Sequence, residues 1–595
     1  MSDAALTTEW ARLLLGMLAQ SGVREAVISP GSRSTPFTFA ALREPTLRCH
    51  DVVDERSAAF FALGQAKVSG EPTLLLCTSG SAAANYLPAV VEANNSHTPL
   101  LILTADRPLE LQDCSAHQTI DQNRLFGQHA RAFFELGAPD AAESALAGVA
   151  RIAAQACLRS RSPVPGAVHL NARARKPLEP VTPAADSTVR RAVDALLERG
   201  PTRSTPARVG PPADGLERLA AACQRAERGV IIAGPRLPGQ PDLVGAVAEL
   251  ARRSGFVVFP EAPSQLRFGL AGRLPPEQVC DGFDALLRAR SFAFEPDLVI
   301  ELGPPPVSGG YERWLARQPR CARYVLAEHG FPDPSGTAAE VVLGALDRTL
   351  QDLQATLPAP AGAIADARRH FAEAIGRANA RVWEALEQDA TPELDERRAV
   401  ELTLASLPEG SLLALGNSLP IREVDVFCRA VPRPGVQVLC QRGASGIDGL
   451  VSSAAGAAAR SGRPTTLLLG DLSFLHDLGG LWAARRIQAP LALVILNNQG
   501  GRIFEQLPLG HSAALRPGEI DHWTTPHALD LARAGDLFGI PSSQVNDAER
   551  LSAALAAAHG RAGPTVIEVQ LPGDRTTAAL ERFWRRVEQA FERAP

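Results

Sequence analysis

Short runs of β-branched residues and leucine recur along the chain, each closed by a turn and followed by an Ala-rich stretch of helical character. Continuous apolar runs suit strands buried on both faces, and a helix between them is the usual crossover joining parallel neighbours. This alternation restricts the chain to an α/β fold in which helices cover both faces of parallel sheets. In the first third the predicted strands are 25–29, 73–77, 100–104 and 166–171. A second unit begins at GVIIAG (229–234) and includes strands at 255–260 and 297–303. A helical stretch at about 363–388 leads to a third unit, with strands at 411–415, 436–440, 465–469, 491–496 and 565–569. Between the first two units, PLEPVTPAADST and RGPTRSTPARVGPP have linker composition. The reading is three doubly wound parallel-sheet domains, 1–185, 205–355 and 365–595, with ligands expected at the carboxyl ends of strands. No short tandem repeat is evident, and the first and third units share only a coarse resemblance in element order.

Composition narrows the function classes. With 595 residues, 45% of them apolar, the chain has material for several cores and is not a largely disordered one. A net charge of -5 argues against a general nucleic-acid or membrane-surface binder. The nine cysteines are scattered without CxxC spacing, which argues against a zinc ribbon or a disulfide scaffold. MSDAALTTEWARLLLGML lacks a basic region and reads as a helix start, and no run reaches the ~18 apolar residues of a membrane span. The expectation is a cytoplasmic protein without stable membrane anchoring. Lys67 and Lys176 are the only lysines among 60 basic residues; codon bias of a GC-rich genome accounts for the skew, and the sharper reading is that anionic ligands are met mostly by arginine.

The most informative spacing lies in the third unit. One strand ends in Gly470-Asp471-Leu472-Ser473, and another ends in Asn497-Asn498-Gln499-Gly500-Gly501. Residues 472–496 separate Asp471 from Asn497, enough for one crossover helix. Neighbouring strand ends would then present a carboxylate, an Asn oxygen and a backbone carbonyl together. These are hard donors suited to Mg²⁺ bridging a diphosphate. Gly470 and Ser473 would lie at the following helix N-terminus, where backbone N–H groups favour phosphate.

The GD…NN pattern resembles the thiamin-diphosphate signature of the decarboxylase and carboligase superfamily. The resemblance implies that Asp471, Asn498 and the Gly500 carbonyl hold the metal, Mg²⁺ or Mn²⁺. It also implies a carboxyl group at N1′ of the aminopyrimidine, helping to remove the thiazolium C2 proton. In HDVVDER, Glu55 precedes a helix predicted at 57–68 and fits that role, since burial against the ring would raise its pKa. Two further loops read as anion sites. ISPGSRST (28–35) offers the Ser32 hydroxyl and the Arg33 fork, and TSGSAAANYLPAVVEA (78–93) forms another strand-turn-helix start.

ISPGSRST, DERSAAFFALG, CTSGSAAANYLPAVVEA, LTADRP, HQTIDQ, GNSLPIR, RGASGIDGL, GDLSFLHDL and NNQGGRIFEQLP occur in this order. The set resembles the 2-succinyl-5-enolpyruvyl-6-hydroxy-3-cyclohexene-1-carboxylate synthases, carboligase transferases of menaquinone biosynthesis, over nearly the whole chain. That resemblance implies three domains of the thiamin-diphosphate-dependent enzyme type: pyrimidine-binding, central and diphosphate-binding. It implies decarboxylation of 2-oxoglutarate and 1,4-addition to isochorismate. Ser32, Arg33, Arg107, Gln118, Ser418, Arg422 and Arg442 would line the pocket for these dianions, which arginine binds bidentately. Ile447 would be the wedge that bends the cofactor, and Ile503, Phe504 and Leu507 the apolar wall. Asn417 and Ser418 would lie near the cofactor, as would Leu472 beside Asp471. The two halves of each site would come from different chains, implying a homodimer or a dimer of dimers.

One place departs from the pattern. The family often has a basic residue just after the equivalent of PVS in LGPPPVSGGYERW, and here that place is Gly309-Gly310. Arg267 or Arg313 could stand in. His476, in GDLSFLHDL, reads as a helix polar residue. Rival readings are another thiamin-diphosphate 2-oxo-acid decarboxylase or carboligase, which would not need RGASGID plus GNSLPIR, and a nucleotide-binding α/β protein. VIIAGPRLPG (230–239) does not match the GxGxxG that the latter requires.

Overall fold

The computed structural model describes residues 2–592, apart from 182–183, 185–186, 318–319 and 389–392. Part of the first linker-like segment therefore lies outside the described residues. The strands form three sheets, and every pairing among the described residues is parallel. The first sheet holds β1 (Glu25–Ile28), β2 (Arg48–Asp51), β3 (Thr73–Cys77), β4 (Leu100–Asp106), β5 (Ala132–Gly137) and β6 (Ala167–Arg173), in the order β2-β1-β3-β4-β6-β5. The second holds β7 (Gly229–Ala233), β8 (Val257–Pro260), β9 (Leu298–Leu302), β10 (Ala322–Ala327) and β11 (Glu340–Leu343), in the order β11-β10-β9-β7-β8. The third holds β12 (Leu412–Leu415), β13 (Gln437–Cys440), β14 (Thr465–Gly470), β15 (Leu491–Asn497), β16 (Ser542–Val545) and β17 (Pro564–Gln570), in the order β13-β12-β14-β15-β17-β16. Numbered from its own first strand, the third sheet repeats the strand order of the first. The coarse likeness seen in the sequence is thus an identity of topology.

Every predicted strand is present. The strands that the sequence did not reveal are β2, β5, β10, β11 and β16. Four of these lie at sheet edges and carry polar residues, as in RCHD and SSQV, because one side is not covered. The central strands TLLLC, LLILTAD and LALVILN are buried throughout, which is why they read as unbroken apolar runs.

Small residues decide how the outer units meet. Helix Glu55–Ser69 packs on helix Leu450–Ser461 with backbones in contact. A Cβ on Gly64 would lie 1.9 Å from the Ser453 carbonyl oxygen, and one on Gly456 1.9 Å from that of Phe61. The first helix ends at Gly70 (φ 70°) and the second at Gly462 (φ 67°), both left-handed positions that favour glycine. Helix Gly362–Glu387, which fits the predicted helical stretch, is tied to the second unit by Arg368. Its guanidinium donates to the carbonyls of Ala226, Ser254 and Cys223 at 2.8, 2.7 and 2.6 Å. No helix among the described residues is long and apolar enough to cross a membrane.

Candidate active site

β14 and β15 are hydrogen-bonded neighbours, with Gly470 opposite Leu496, so the GD and NN turns leave the sheet side by side. Asp471 is buried and opens the short helix Asp471–His476, with Gly470 as its cap. Its Oδ1 accepts the Leu472 N–H at 2.6 Å and its Oδ2 the Gly500 N–H at 2.8 Å. Burial raises the Asp471 carboxyl above the usual range, although these two N–H groups and His527 oppose the shift. The Asn498 Nδ2 donates to Glu396 Oε1 at 3.2 Å, which leaves its Oδ1 as the end available to a cation. Gly500 adopts φ 133°, and a Cβ there would lie 2.4 Å from the Thr524 carbonyl oxygen, so only glycine fits. Carboxylate, amide oxygen and the 498–500 turn are thereby held together, a donor set that fits a hard divalent cation. Ser473 is buried, while Leu472 and Phe504 both approach Gly501. Ile503 and Phe504 are half-buried and Leu507 is exposed.

A second group gathers at the ends of β12 and β13. Asn417 Nδ2 donates to the carbonyls of Gln441 (2.9 Å) and Gly446 (2.7 Å), and its Oδ1 accepts from Arg442 Nη1 at 3.1 Å. Ser418 sits at φ 74°, and its carbonyl receives Arg422 Nη1. Burial and, next, the charge of Arg442 lower the Arg422 pKa, with Arg288 acting in the same direction. Ile447 stands 37% exposed on the loop that Asn417 holds. A cavity of about 260 Å³ flanks Arg442 on the side of the first and second units, lined also by His97, Arg236 and His329.

The first sheet contributes a third group. Glu55, half-buried, is the first residue of helix Glu55–Ser69, behind Asp54, whose side chain accepts from the Arg56 and Ser57 N–H groups. Arg33 is buried, with its N–H donating to Thr78 Oγ1 at 3.2 Å and its Nη1 to the Ala174 carbonyl. Gln118 Nε2 donates to the Ser79 carbonyl at 3.1 Å, and Arg107 Nη2 to the His117 carbonyl at 3.0 Å. Ser32 is exposed beside them. The structure therefore brings Ser32, Arg33, Arg107 and Gln118 together at the carboxyl ends of β1, β3 and β4. Among the described residues no hydrogen bond or ion pair links this group to the third-sheet residues predicted for the site. One bridge beside them is Arg56 Nη2, which donates to the His476 carbonyl at 3.0 Å, while the His476 side chain is exposed.

Arg267 does not stand free to meet a ligand. It is wholly buried, paired with Asp425 at 3.2 Å, and donates to the carbonyls of Pro260 and Asp281. Sequence reasoning missed three participants. His527 Nε2 lies 3.2 Å from Asp471 Oδ2, on a loop with no strand-end signal. Glu396 backs Asn498. Lys67, fully buried, donates to Glu92 Oε1 (2.7 Å) and to the Cys440 carbonyl (2.9 Å), and Glu92 in turn accepts the N–H groups of Gly443 and Ala444. A lysine in so lysine-poor a chain was the one available signal.

Two topologically matched sheets, the second ending in an acidic and amide donor turn, define a thiamin-diphosphate-dependent enzyme. Residues 8–125 match the N-terminal TPP binding domain of thiamine pyrophosphate enzymes, and residues 432–569 match the C-terminal one. A solved Mycobacterium smegmatis chain, described as a thiamin diphosphate-dependent enzyme, shares the fold at 18% identity and TM-score 0.66, covering 93% of this chain and 97% of its own. Relatives named 2-succinyl-5-enolpyruvyl-6-hydroxy-3-cyclohexene-1-carboxylate synthase align almost end to end. That of Sorangium cellulosum is 46% identical over 99% of this chain and 96% of its own length. That of Geobacillus kaustophilus is 39% identical over 99% and 98%, and that of Haloarcula marismortui 36% identical over 99% and 100%. The chain belongs to this synthase family.

Proposed function

We propose that the chain catalyses thiamin-diphosphate-dependent decarboxylation of 2-oxoglutarate and 1,4-addition of the succinyl unit to isochorismate. The products are 2-succinyl-5-enolpyruvyl-6-hydroxy-3-cyclohexene-1-carboxylate and CO₂. The observation that carries this reading is the meeting, along one sheet edge, of the Asp471–Gly500 oxygen-donor turn with the Arg422–Arg442 cation pair on neighbouring strand ends. The cofactor, when bound, supplies the electron sink for decarboxylation. Asp471, Asn498 and the Gly500 carbonyl hold its Mg²⁺ or Mn²⁺, and the cation offsets the cost of burying the Asp471 carboxylate. Gly470 and Ser473 flank the diphosphate. Glu55 holds a proton at the aminopyrimidine ring. Arg33, Arg107, Arg422 and Arg442, with Ser32, Gln118 and Ser418, orient the two dianions. Ile447, Ile503, Phe504, Leu507 and Leu472 exclude water.

Among the described residues no hydrogen bond or ion pair joins the predicted first-sheet site residues directly to the third-sheet ones, and Ile447, Leu507 and Val53 stand 37%, 43% and 56% exposed beside them. Exposed aliphatic side chains on site loops support closure by a second copy, so the working unit is a homodimer or a dimer of dimers with two composite sites per dimer. The domain limits 1–185, 205–355 and 365–595, and a cytoplasmic location, belong to the same reading. The test is to supply the protein with Mg²⁺, thiamin diphosphate and both substrates, and to follow isochorismate loss and product mass. The product forms only with all components present, and chelating the metal stops it. An enzyme that decarboxylates 2-oxoglutarate without consuming isochorismate refutes the assignment.

A further inference from the structure

Gly309 and Gly310 open helix Gly309–Arg317, and the structure shows what fills the space that a side chain at these positions would take. A Cβ on Gly310 would lie 2.1 Å from the Asp284 carbonyl oxygen, so helix Phe283–Arg288 packs directly on this turn. Asp284 fastens it, since its Oδ1 accepts the Gly310 N–H at 2.9 Å and the Ser308 hydroxyl at 2.6 Å. One turn along, Arg288 Nε donates to Asp284 Oδ2 at 2.7 Å, and its Nη2 lies 2.9 Å from where a Gly309 Cβ would be. The guanidinium also rests 4.7 Å from the Trp584 ring centroid. Asp284 and Trp584 aim it, and the bare backbone at Gly309 leaves it room.

Helix Phe283–Arg288 also touches helix Pro420–Phe427, which carries Arg422. Arg288 thus acts on both Arg313 and Arg422, with Arg290 beside Arg313 and Arg442 beside Arg422, and the facing acids are Asp284, paired directly with Arg288, Glu312, and Glu261 near Arg442. Burial followed by the charge of Arg288 lowers the Arg313 pKa, and Arg422 is lowered in the same way by Arg442 and Arg288. The five arginines outnumber the three acids acting on them, an excess of positive charge that suits a multiply charged anion. Arg267 is excluded by its burial, whereas Arg288 keeps 19% of its side-chain surface open.

We propose that Arg288, reaching across the bare turn at Gly309-Gly310, binds a substrate carboxylate in place of a basic residue on that turn. This rests on the reaction proposed above and adds a specificity-determining residue to it. The shared chemistry is a carboxylate of a dicarboxylic substrate, and varying each substrate in turn identifies its source.

The test is steady-state kinetics of the full-length holoenzyme, with 2-oxoglutarate and isochorismate varied separately. Arg288→Met raises KM for one of them roughly 10- to 100-fold, as expected for losing a charge-assisted hydrogen bond, while kcat stays within about 2-fold. Because Arg288 also packs on Trp584, a second variant separates binding from folding. Arg288→Met with Gly309→Lys returns a cation from the vacated space and restores most of the lost KM. Unchanged KM values in Arg288→Met overturn the proposal, as does a KM rise that the lysine does not relieve. Wild-type enzyme that makes no isochorismate-dependent product refutes the reaction itself, a result distinct from an unaffected Arg288→Met.

Discussion

The Lys67–Glu92 pair gives the sharpest stability test. Both side chains are buried, at 0% and 3% exposure, with Nζ and Oε1 2.7 Å apart. Glu92 also accepts the Gly443 N–H at 3.1 Å and the Ala444 N–H at 2.6 Å, so it pins the loop bearing Arg442 to the first unit. Lys67→Met leaves a buried carboxylate with only backbone donors, and removing one partner of a buried pair costs about 3–5 kcal/mol. For a unit of 150–250 residues that lowers the unfolding midpoint by roughly 6–20 °C. Adding Glu92→Gln removes the stranded charge, and the amide oxygen still accepts from Ala444, at the cost of the Gly443 N–H bond. The double variant is therefore more stable than Lys67→Met by about 1–3 kcal/mol, the penalty for an unsatisfied buried group. Calorimetry of wild type, both single variants and the double variant reads the effect as a negative interaction energy. If the double variant unfolds at or below the Lys67→Met midpoint, the charge of Glu92 is not the liability and the argument fails.

Three further expectations concern the site and its frame. Glu55→Gln retains thiamin diphosphate in equilibrium dialysis but loses about 10²- to 10⁴-fold in kcat, the usual share of a proton-transfer group. Gly64→Ala forces a methyl group against the Ser453 carbonyl, whose oxygen would be 1.9 Å away, and lowers stability by at least about 1–3 kcal/mol in urea unfolding. Burial pushes the Asp477 carboxyl up to about 6 from 3.8, so the folded state keeps its proton over a range where the unfolded state has lost it. Stability from this group therefore falls, by about 3 kcal/mol, as pH rises from about 4 to 6 and is level above that. Asp477→Asn removes this slope in a pH series of midpoints, and an unchanged slope shows that Asp477 is not its source.

What the sequence revealed and what it hid follow from where each residue's environment comes from. A central strand is buried by its own sheet, so β4 and β15 advertise themselves locally. The edge strands β2 and β16 are defined by a neighbour and carry polar residues. The GD and NN turns were legible for a similar reason: both needed donors sit directly after strands, and parallel pairing of β14 with β15 does the rest. Arginines are different, because their role depends on what lies at the far end of a long side chain. Arg267 and Arg288 each directly follow a leucine in the same unit, and that neighbour does not separate them. Three-dimensional packing turns Arg267 inward onto carbonyls and Asp425, and lays Arg288 over Gly309. The glycine pair could be read from the sequence only as a missing charge. In the fold it leaves room for the Arg288 guanidinium of another helix, so the proposed carboxylate contact turns on residue 288 together with residues 309 and 310.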